Sequence, residues 1–579
     1  CFNNAAPREE PAITASTAAL VRRLRPDVWT LGTLAVALLI ALPLATVLAL
    51  AAGPDDGIWR HLVATVLVLY VETTLGLMLL VGAGTLVIGA GCAWLVTMCR
   101  FPGVRLFEWA LILPLAVPAY VSAYVYTDLL DYGGPVQGAL RELFGWRARR
   151  DYWFPEIRST GGAALMMTLV FYPYVYLLAR AAFLEQSVCV LEVSRTLGKG
   201  PYASFFRVAV PLARPALVVG LSLVMMETLN DFGTVDFFAV KTFTLGIYDA
   251  WLNMNSTAGA AQLASLMLVF VLGLVAAERW ARRGQRYHHT SARYSALPRY
   301  RLGNGAQALA VSACALPVVM GFAVPAGVLA DYALARIDGA FASNVALFAM
   351  NSLLLSASSA VAATLIGLFM AYGMRLSRAP AVRAATRAAT VGYAVPGAVL
   401  AVGVMIPVAW LDNRIAEAAE AVLGWSPGLL ISGTMLAIAV GYVVRFLALS
   451  FGAVEAGLAK ITPGMDGAAR TLGHGPASTL ARVHLPLMRA SVLTAVLLVF
   501  VDGMKELPMT MLLRPFNFDT LATYVHQFAS AEMLEECALG ALLIVAAGVL
   551  PVVVLSLTIA RSRPGFAPPP AAPPPAPTR

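Results

Sequence analysis

The stretch EVSRTLGKGPYASFFRVAVPLAR, Glu192 to Arg214, has a twin 275 positions later, GAARTLGHGPASTLARVHLPLMR, Gly467 to Arg489. At that offset 11 of 23 positions are identical: Arg195, Thr196, Leu197, Gly198, Gly200, Pro201, Arg207, Val208, Pro211, Leu212 and Arg214. A match this dense at a fixed offset is an internal duplication, so the chain holds two copies of one unit. Each copy predicts a short helix stopped by Gly198 or Gly473, a tight turn, and a second short helix that Pro201 or Pro476 opens and Pro211 or Pro486 ends. Long apolar segments flank both copies, which puts the element at a membrane surface. Arginines snorkelling to the interface would explain a single copy. Duplication of the glycines and prolines favours a docking element.

The rest of the composition agrees with a membrane. Of 579 residues 59% are hydrophobic and only 13% charged, and the mean hydropathy is +0.75, which excludes an ordinary soluble domain. A net charge of +9 could suggest nucleic acid, but the basic residues sit in short loops between apolar runs, so the charge reports topology and not a nucleic-acid partner. Cysteines 1, 92, 99, 189, 314 and 537 show neither disulfide nor metal-ligand spacing. The chain opens on Cys1 and its first 28 residues are mostly polar, without a signal peptide, so the natural start is expected to lie elsewhere.

Runs long enough to cross about 30 Å of hydrocarbon fall at 29–52, 74–98, 105–127, 161–184, 215–240 and 257–277, then at 304–330, 350–375, 390–411, 428–455, 490–514 and 537–560. The expected fold is therefore an all-α polytopic membrane protein of twelve transmembrane helices. Residues 1–28 form an N-terminal segment, 29–278 a first six-helix repeat with its loop at 185–214, and 279–303 a linker with seven arginines and no acid. Residues 304–560 form the second repeat with its loop at 456–489, and 561–579 a Pro/Ala-rich disordered tail. Alternate loops carry 28 Lys and Arg on the side of the termini and 10 on the other, which makes both termini cytosolic. Six spans separate the copies, so the two repeats run parallel. At an offset of 278, Ile88, Gly89, Ala93 and Trp94 answer Ile366, Gly367, Ala371 and Tyr372. The longest external loop, 128–160, is amphipathic and reads as a periplasmic surface helix or as part of a receptor platform.

Glu192-Val193-Ser194, Gly198 and Val210-Pro211 in the first copy, with Ala468-Ala469, Gly473 and Leu485-Pro486 in the second, resemble the EAA loop of permease subunits of bacterial ATP-binding cassette importers. The resemblance implies the type I importer fold. It also implies that Glu192, Gly198, Pro211, Gly473 and Pro486 couple the chain to a dimeric cytosolic ATPase. The second copy departs from the pattern, with Gly467 in place of the glutamate and Asp466 before it. No G-x-x-x-x-G-K-[ST] occurs, so ATP and magnesium belong to the partner. The chain is read as binding no cofactor and as no enzyme.

After each loop an apolar run of eleven residues leads to charged residues: the acids Glu227, Asp231 and Asp236 in the first half, and Asp502 and Glu506 with Lys505 between them in the second. The 275 offset pairs Glu227 with Asp502 and Asp231 with Glu506. Eleven helical residues reach about 16 Å, half the hydrocarbon core. Two roles fit these acids: pairing with Lys505 or Arg445 or capping a broken helix, or lining a translocation path. ETLNDFGTVDFF at 227–238, TFTLGIYDAW, KELPMTMLLRPFNFDTLAT and LPLAVPAYVSAY at 113–124 resemble fused ferric-iron importer permeases. That resemblance implies a bacterial inner-membrane subunit taking Fe(III) from a periplasmic binding protein. Thiamine, phosphonate and polyamine permeases share much of the pattern, and an ion-coupled secondary transporter would need no docking loops. No metal ligand set is assigned. A topology reporter fused after Arg286 is expected to read cytosolic; a periplasmic signal there would overturn both the topology and the parallel repeats.

Overall fold

The computed structural model describes residues 28–54, 57–185, 200–282, 299–336, 341–377, 379–425 and 427–561. In hydrocarbon a backbone amide must find its partner within the protein, and runs of this length meet that demand as helices. They are α1 Val28–Ala51, α2 Leu67–Met98, α3 Ala119–Leu130, α4 Thr160–Glu185, α5 Val210–Asn230 and α6 Thr257–Arg282. In the second half they are α7 Asn304–Ala335, α8 Phe341–Leu376, α9 Gly397–Leu423, α10 Met435–Ala459, α11 Leu485–Met504 and α12 Leu534–Arg561. Among the described residues ten helices are long and apolar enough to cross a membrane, or eleven if the bent pair Val104–Ala116 and Ala119–Phe144, which meet at 89°, is one span. The outer faces are apolar, with Leu38, Leu79, Val87 and Leu309 each at least 70% exposed, as lipid contact requires.

The second short helix of the duplicated element is absent as such. Pro211 and Pro486 do not end it: the backbone runs helically from Pro201 into α5, and from Pro476 through to Met504. A proline inside a helix lacks one hydrogen bond and clashes with the carbonyl a turn below. Here a π-helical turn, Phe205–Ala209 or Leu480–His484, widens the helix just before each proline and absorbs the misfit. A third π turn, Val319–Ala323, precedes Pro325 in α7 in the same way.

Helix contacts repeat between the halves. In the first, α2, α4 and α5 pack on one another; in the second, α8, α10 and α11 do. Glycines at matching positions allow the close approach. A Cβ on Gly89 would lie 2.9 Å from the Tyr172 carbonyl and the Tyr176 amide of α4, and one on Gly367 would lie 2.8 Å from Ser450 Oγ and 3.0 Å from the Phe451 amide of α10.

The outer helices cross over. α1 packs on α8 and α9 of the other half, with Trp29 stacked on Phe369 at 5.2 Å. Conversely α7 lies on the first half, where the Tyr126 hydroxyl donates to the Met320 carbonyl at 2.6 Å. α12 also reaches the first half, at the segment Leu113–Ala116. The helix expected in 128–160 is present at Pro135–Phe144. Among the described residues the one strand pairing joins Cys99–Arg100 to Tyr300–Arg301. Cys92, Cys99, Cys314 and Cys537 are buried free thiols.

Gly89→Val and Gly367→Val should each destabilise the protein by about 1–3 kcal/mol through overpacking, seen as a lower midpoint of thermal unfolding in detergent. Gly91→Ala, where a Cβ meets nothing within 4 Å, should leave the midpoint in place.

Candidate functional site

The spans expected at 215–240 and 490–514 are broken at equivalent points. α5 stops at Asn230, where Asp231 turns extended, and a short helix restarts at Gly233–Phe237. α11 stops at Met504, and Pro508 opens the helix Pro508–Leu513. Each break exposes amides that need acceptors. Asp231 accepts from the Thr234 amide at 2.9 Å, the Thr234 hydroxyl at 3.0 Å and the Val235 amide at 3.3 Å. Glu506, its counterpart, accepts from the Met509 amide at 3.2 Å. For this pair, capping the broken helix is the observed role.

The breaks open onto a cavity of about 80 Å³ between the halves, lined among others by Tyr120, Tyr174, Glu227, Asn230, Asp231, Tyr393, Arg445, Asp502, Lys505 and Glu506. All five residues expected on a translocation path are in its wall. They do not form an open ring of oxygen donors, because each carboxylate has a partner. Glu227 accepts from the Tyr393 hydroxyl of the other half at 2.8 Å, and Asp502 pairs with Lys505 at 2.9 Å. Glu506 pairs with Arg445 at 3.2 Å, both nearly inaccessible. Among the described residues no three His, Cys, Asp or Glu side chains gather as a metal-ion site.

Asn230 ties the halves together: its Oδ1 accepts from the Gly397 amide at 2.8 Å and from Arg445 Nη1 at 2.9 Å. Asn230, Tyr393, Tyr174 and Tyr120 escaped the sequence reading. Two signals point to them. The 275 offset that pairs the acids also pairs Asn230 with Lys505. The 278 offset pairs Ala116-Val117-Pro118 with Ala394-Val395-Pro396, which sets Tyr393 opposite Leu115, and both of these line the cavity. Asp236 is drawn elsewhere, 3.4 Å from Nε2 of the buried His526, whose Nδ1 meets the Tyr124 hydroxyl at 2.6 Å.

Of the duplicated loop, Glu192 and Gly198 lie outside the described residues. In the second copy the helix Pro463–Thr471 ends as expected, with Gly473 at φ +82°. The Gly473 amide donates to Arg470 O and the His474 amide to Ala469 O, each at 3.0 Å, a Schellman ending that needs the left-handed residue. Asp466, one residue before the missing glutamate, anchors this helix. It binds Arg375 at the end of α8 at 2.8 Å and His484 Nε2 at 2.7 Å. Burial raises the Asp466 pKa, but the Arg375 and His484 bonds outweigh it and hold the carboxyl below the usual range. Tyr372 completes the cluster, donating to the Pro476 carbonyl at 2.8 Å.

No protein-family model matches the chain. It is 24% identical over 489 residues to the Fe(3+)-transport system permease protein FbpB 2 of Haemophilus influenzae, covering 84% of this chain and 88% of that one. The molybdenum transport system permease protein ModB of Escherichia coli is 27% identical over 197 residues, 33% of this chain and 82% of its own. A Salmonella choleraesuis permease named for 2-aminoethylphosphonate transport, PhnU, is 28% identical over 286 residues, 48% of this chain and 96% of its own. These relatives are transport permeases, and the chain is a multi-pass membrane protein related to the permease subunits of ATP-binding cassette importers.

Proposed function

We propose that the chain is the complete membrane path of an ATP-binding cassette importer, twelve spans in two parallel six-helix repeats with both termini cytosolic. In this reading α3 and α12 supply the spans beyond the ten. The cargo is Fe(III), handed over by a periplasmic binding protein and driven inward by a separate cytosolic ATPase seated on the two duplicated loops. One observation carries the reading: matching positions of both halves meet at one charged cavity on the seam between them. Its four carboxylates outnumber its two cations, Arg445 and Lys505, which favours a cationic cargo. Their existing partners argue for passage over trapping, because conduction needs sites weak enough to release. The iron relative also spans both halves, whereas the molybdenum and phosphonate relatives cover less than half of the chain.

In proteoliposomes holding the chain, its ATPase and the binding protein, converting Glu227 and Asp502 together to their amides should lower iron uptake by at least about tenfold. The complex should still assemble, as read by size exclusion. Full uptake by the double variant, or wild-type uptake driven by an ion gradient without ATP, would overturn the reading. Gly473→Val forces a Cβ into the left-handed region at about 1 kcal/mol or more. Where its Cβ would stand the space is open, so the spans should fold normally while co-purification of the ATPase falls.

A further inference from the structure

The hydrogen-bond balance of the cavity is one-sided. Every carboxylate on its wall has a partner: Glu227 has Tyr393, Asp231 has Thr234 and Val235, Asp502 has Lys505, and Glu506 has Arg445 and Met509. The unsatisfied groups are donors. Among the described residues the buried Tyr120 hydroxyl and the buried Arg445 Nε have no hydrogen-bond partner, and both residues line this cavity. Tyr120 and Arg445 are 5% and 3% exposed, so bulk water does not serve them. Lys505 lines it too and spends one of its three N–H donors on Asp502. Buried donors as a rule have acceptors. Two such donors on one cavity, beside the part-exposed Lys505 with N–H groups to spare, two of the three groups cationic, call for an acceptor that carries negative charge.

We infer that the cavity binds an oxyanion, held by the Tyr120 hydroxyl, Arg445 Nε and Lys505 Nζ. This rests on the permease reading but not on its Fe(III) cargo, which a free oxyanion in the cavity would replace. A cavity of about 80 Å³ is several times the about 10–15 Å³ that one water needs, so it has room for a tetrahedral oxyanion or several waters. Two sources share the chemistry: a free oxyanion, or one riding on Fe(III). The second also uses the surplus of carboxylates, since the metal's positive charge faces the acids while its oxygens face the donors.

Two variants separate binding from folding. Tyr120→Phe removes an oxygen with no partner in the fold, so its unliganded melting temperature should match wild type or exceed it. Arg445→Lys keeps the charge but loses Nε together with the Nη1 bonds to Asn230 and Glu506, so its shifts are read against its own unliganded melting temperature. The purified full chain is titrated in detergent with molybdate, with 2-aminoethylphosphonate, with citrate alone and with Fe(III) citrate, and the melting temperature is followed. Either variant should need about tenfold more ligand for the wild-type shift, the factor expected for one lost hydrogen bond. A shift with molybdate or the phosphonate alone identifies a free oxyanion. A shift with Fe(III) citrate but not with citrate or the other anions identifies an anion carried on iron. No shift in the wild type with any of them, or equal shifts in wild type and Tyr120→Phe, overturns the oxyanion site. Uptake in proteoliposomes separates the two readings. A wild type that binds but never transports with its ATPase removes the permease reading and leaves the site. Transport by Tyr120→Phe with an unchanged KM removes the site and leaves the permease.

Discussion

A helix that stops and restarts inside an apolar bundle leaves amides at the restart that need acceptors from the protein, and this chain breaks two helices in that way, α5 after Asn230 and α11 after Met504. Asp231 and Glu506 supply the acceptors. Everything else at the seam follows from those two caps. With the helices broken, Glu227 and Asp502 fall in the last turns before the break, and Asn230 and Lys505 at its lip. The restarted helices carry the chain away again and leave a polar gap where continuous helices would have packed shut. Arg445 binds Glu506 and Asn230 at once, so one guanidinium joins the cap of one half to the lip of the other.

The two halves are duplicates that have diverged where they meet. Asn230 faces the role of Lys505, Glu227 that of Asp502, and Leu115 that of Tyr393. The register that sets Gly89 on Tyr176 and Gly367 on Phe451 also pairs Val170 with Arg445. Two identical subunits would have to place every charge twice, with two arginines or none. Fusion in one chain removes that constraint. One half can give the cations while the other gives the amide and the tyrosine Tyr174. Cross-half bonds then form between unlike partners, Tyr393 with Glu227 and Gly397 with Asn230.

Much of this was legible in the sequence because duplication writes itself twice. The repeated glycines stand where α2 meets α4 and α8 meets α10, and the repeated acids stand in the wall of the cavity. Gly473 reads directly as a left-handed helix end because few other residues tolerate φ +82°. Pro211 and Pro486 misled, since a proline that ends a helix in water can sit within one when a π turn precedes it. The role of each acid was hidden for a different reason. Whether Asp231 caps a helix or faces a cargo depends on whether α5 breaks at Asn230, and apolar periodicity does not record a break. The offsets mark Tyr393 and Asn230 as positions, but not what they bind, because their partners lie 166 and 215 positions away.

The unbroken path from loop to cavity explains how one end can act on the other. From Pro476 to Met504 the chain is 29 helical residues, about 43 Å at about 1.5 Å per residue, with the loop turn at one end and Asp502 near the other. Its one irregular stretch, the π turn Leu480–His484, lies beside the loop, where a wide turn is easiest to deform. That turn is gripped from outside. His484 is bonded to Asp466 of the loop helix and meets the edge of Tyr372 from α8 at 5.5 Å. In the first half the matching turn is gripped by the matching residue, Trp94 of α2 packing on Phe205 at 5.2 Å. A displacement of either loop therefore enters its helix at the π turn. Beyond it the backbone stays helical to the break, past Pro215 in the first half, so in the proposed importer the motion would be delivered where Glu227 and Asp502 meet the seam. In the proposed importer the π turns that house Pro211 and Pro486 are thus the elastic joints, and the breaks capped by Asp231 and Glu506 are where the motion is spent.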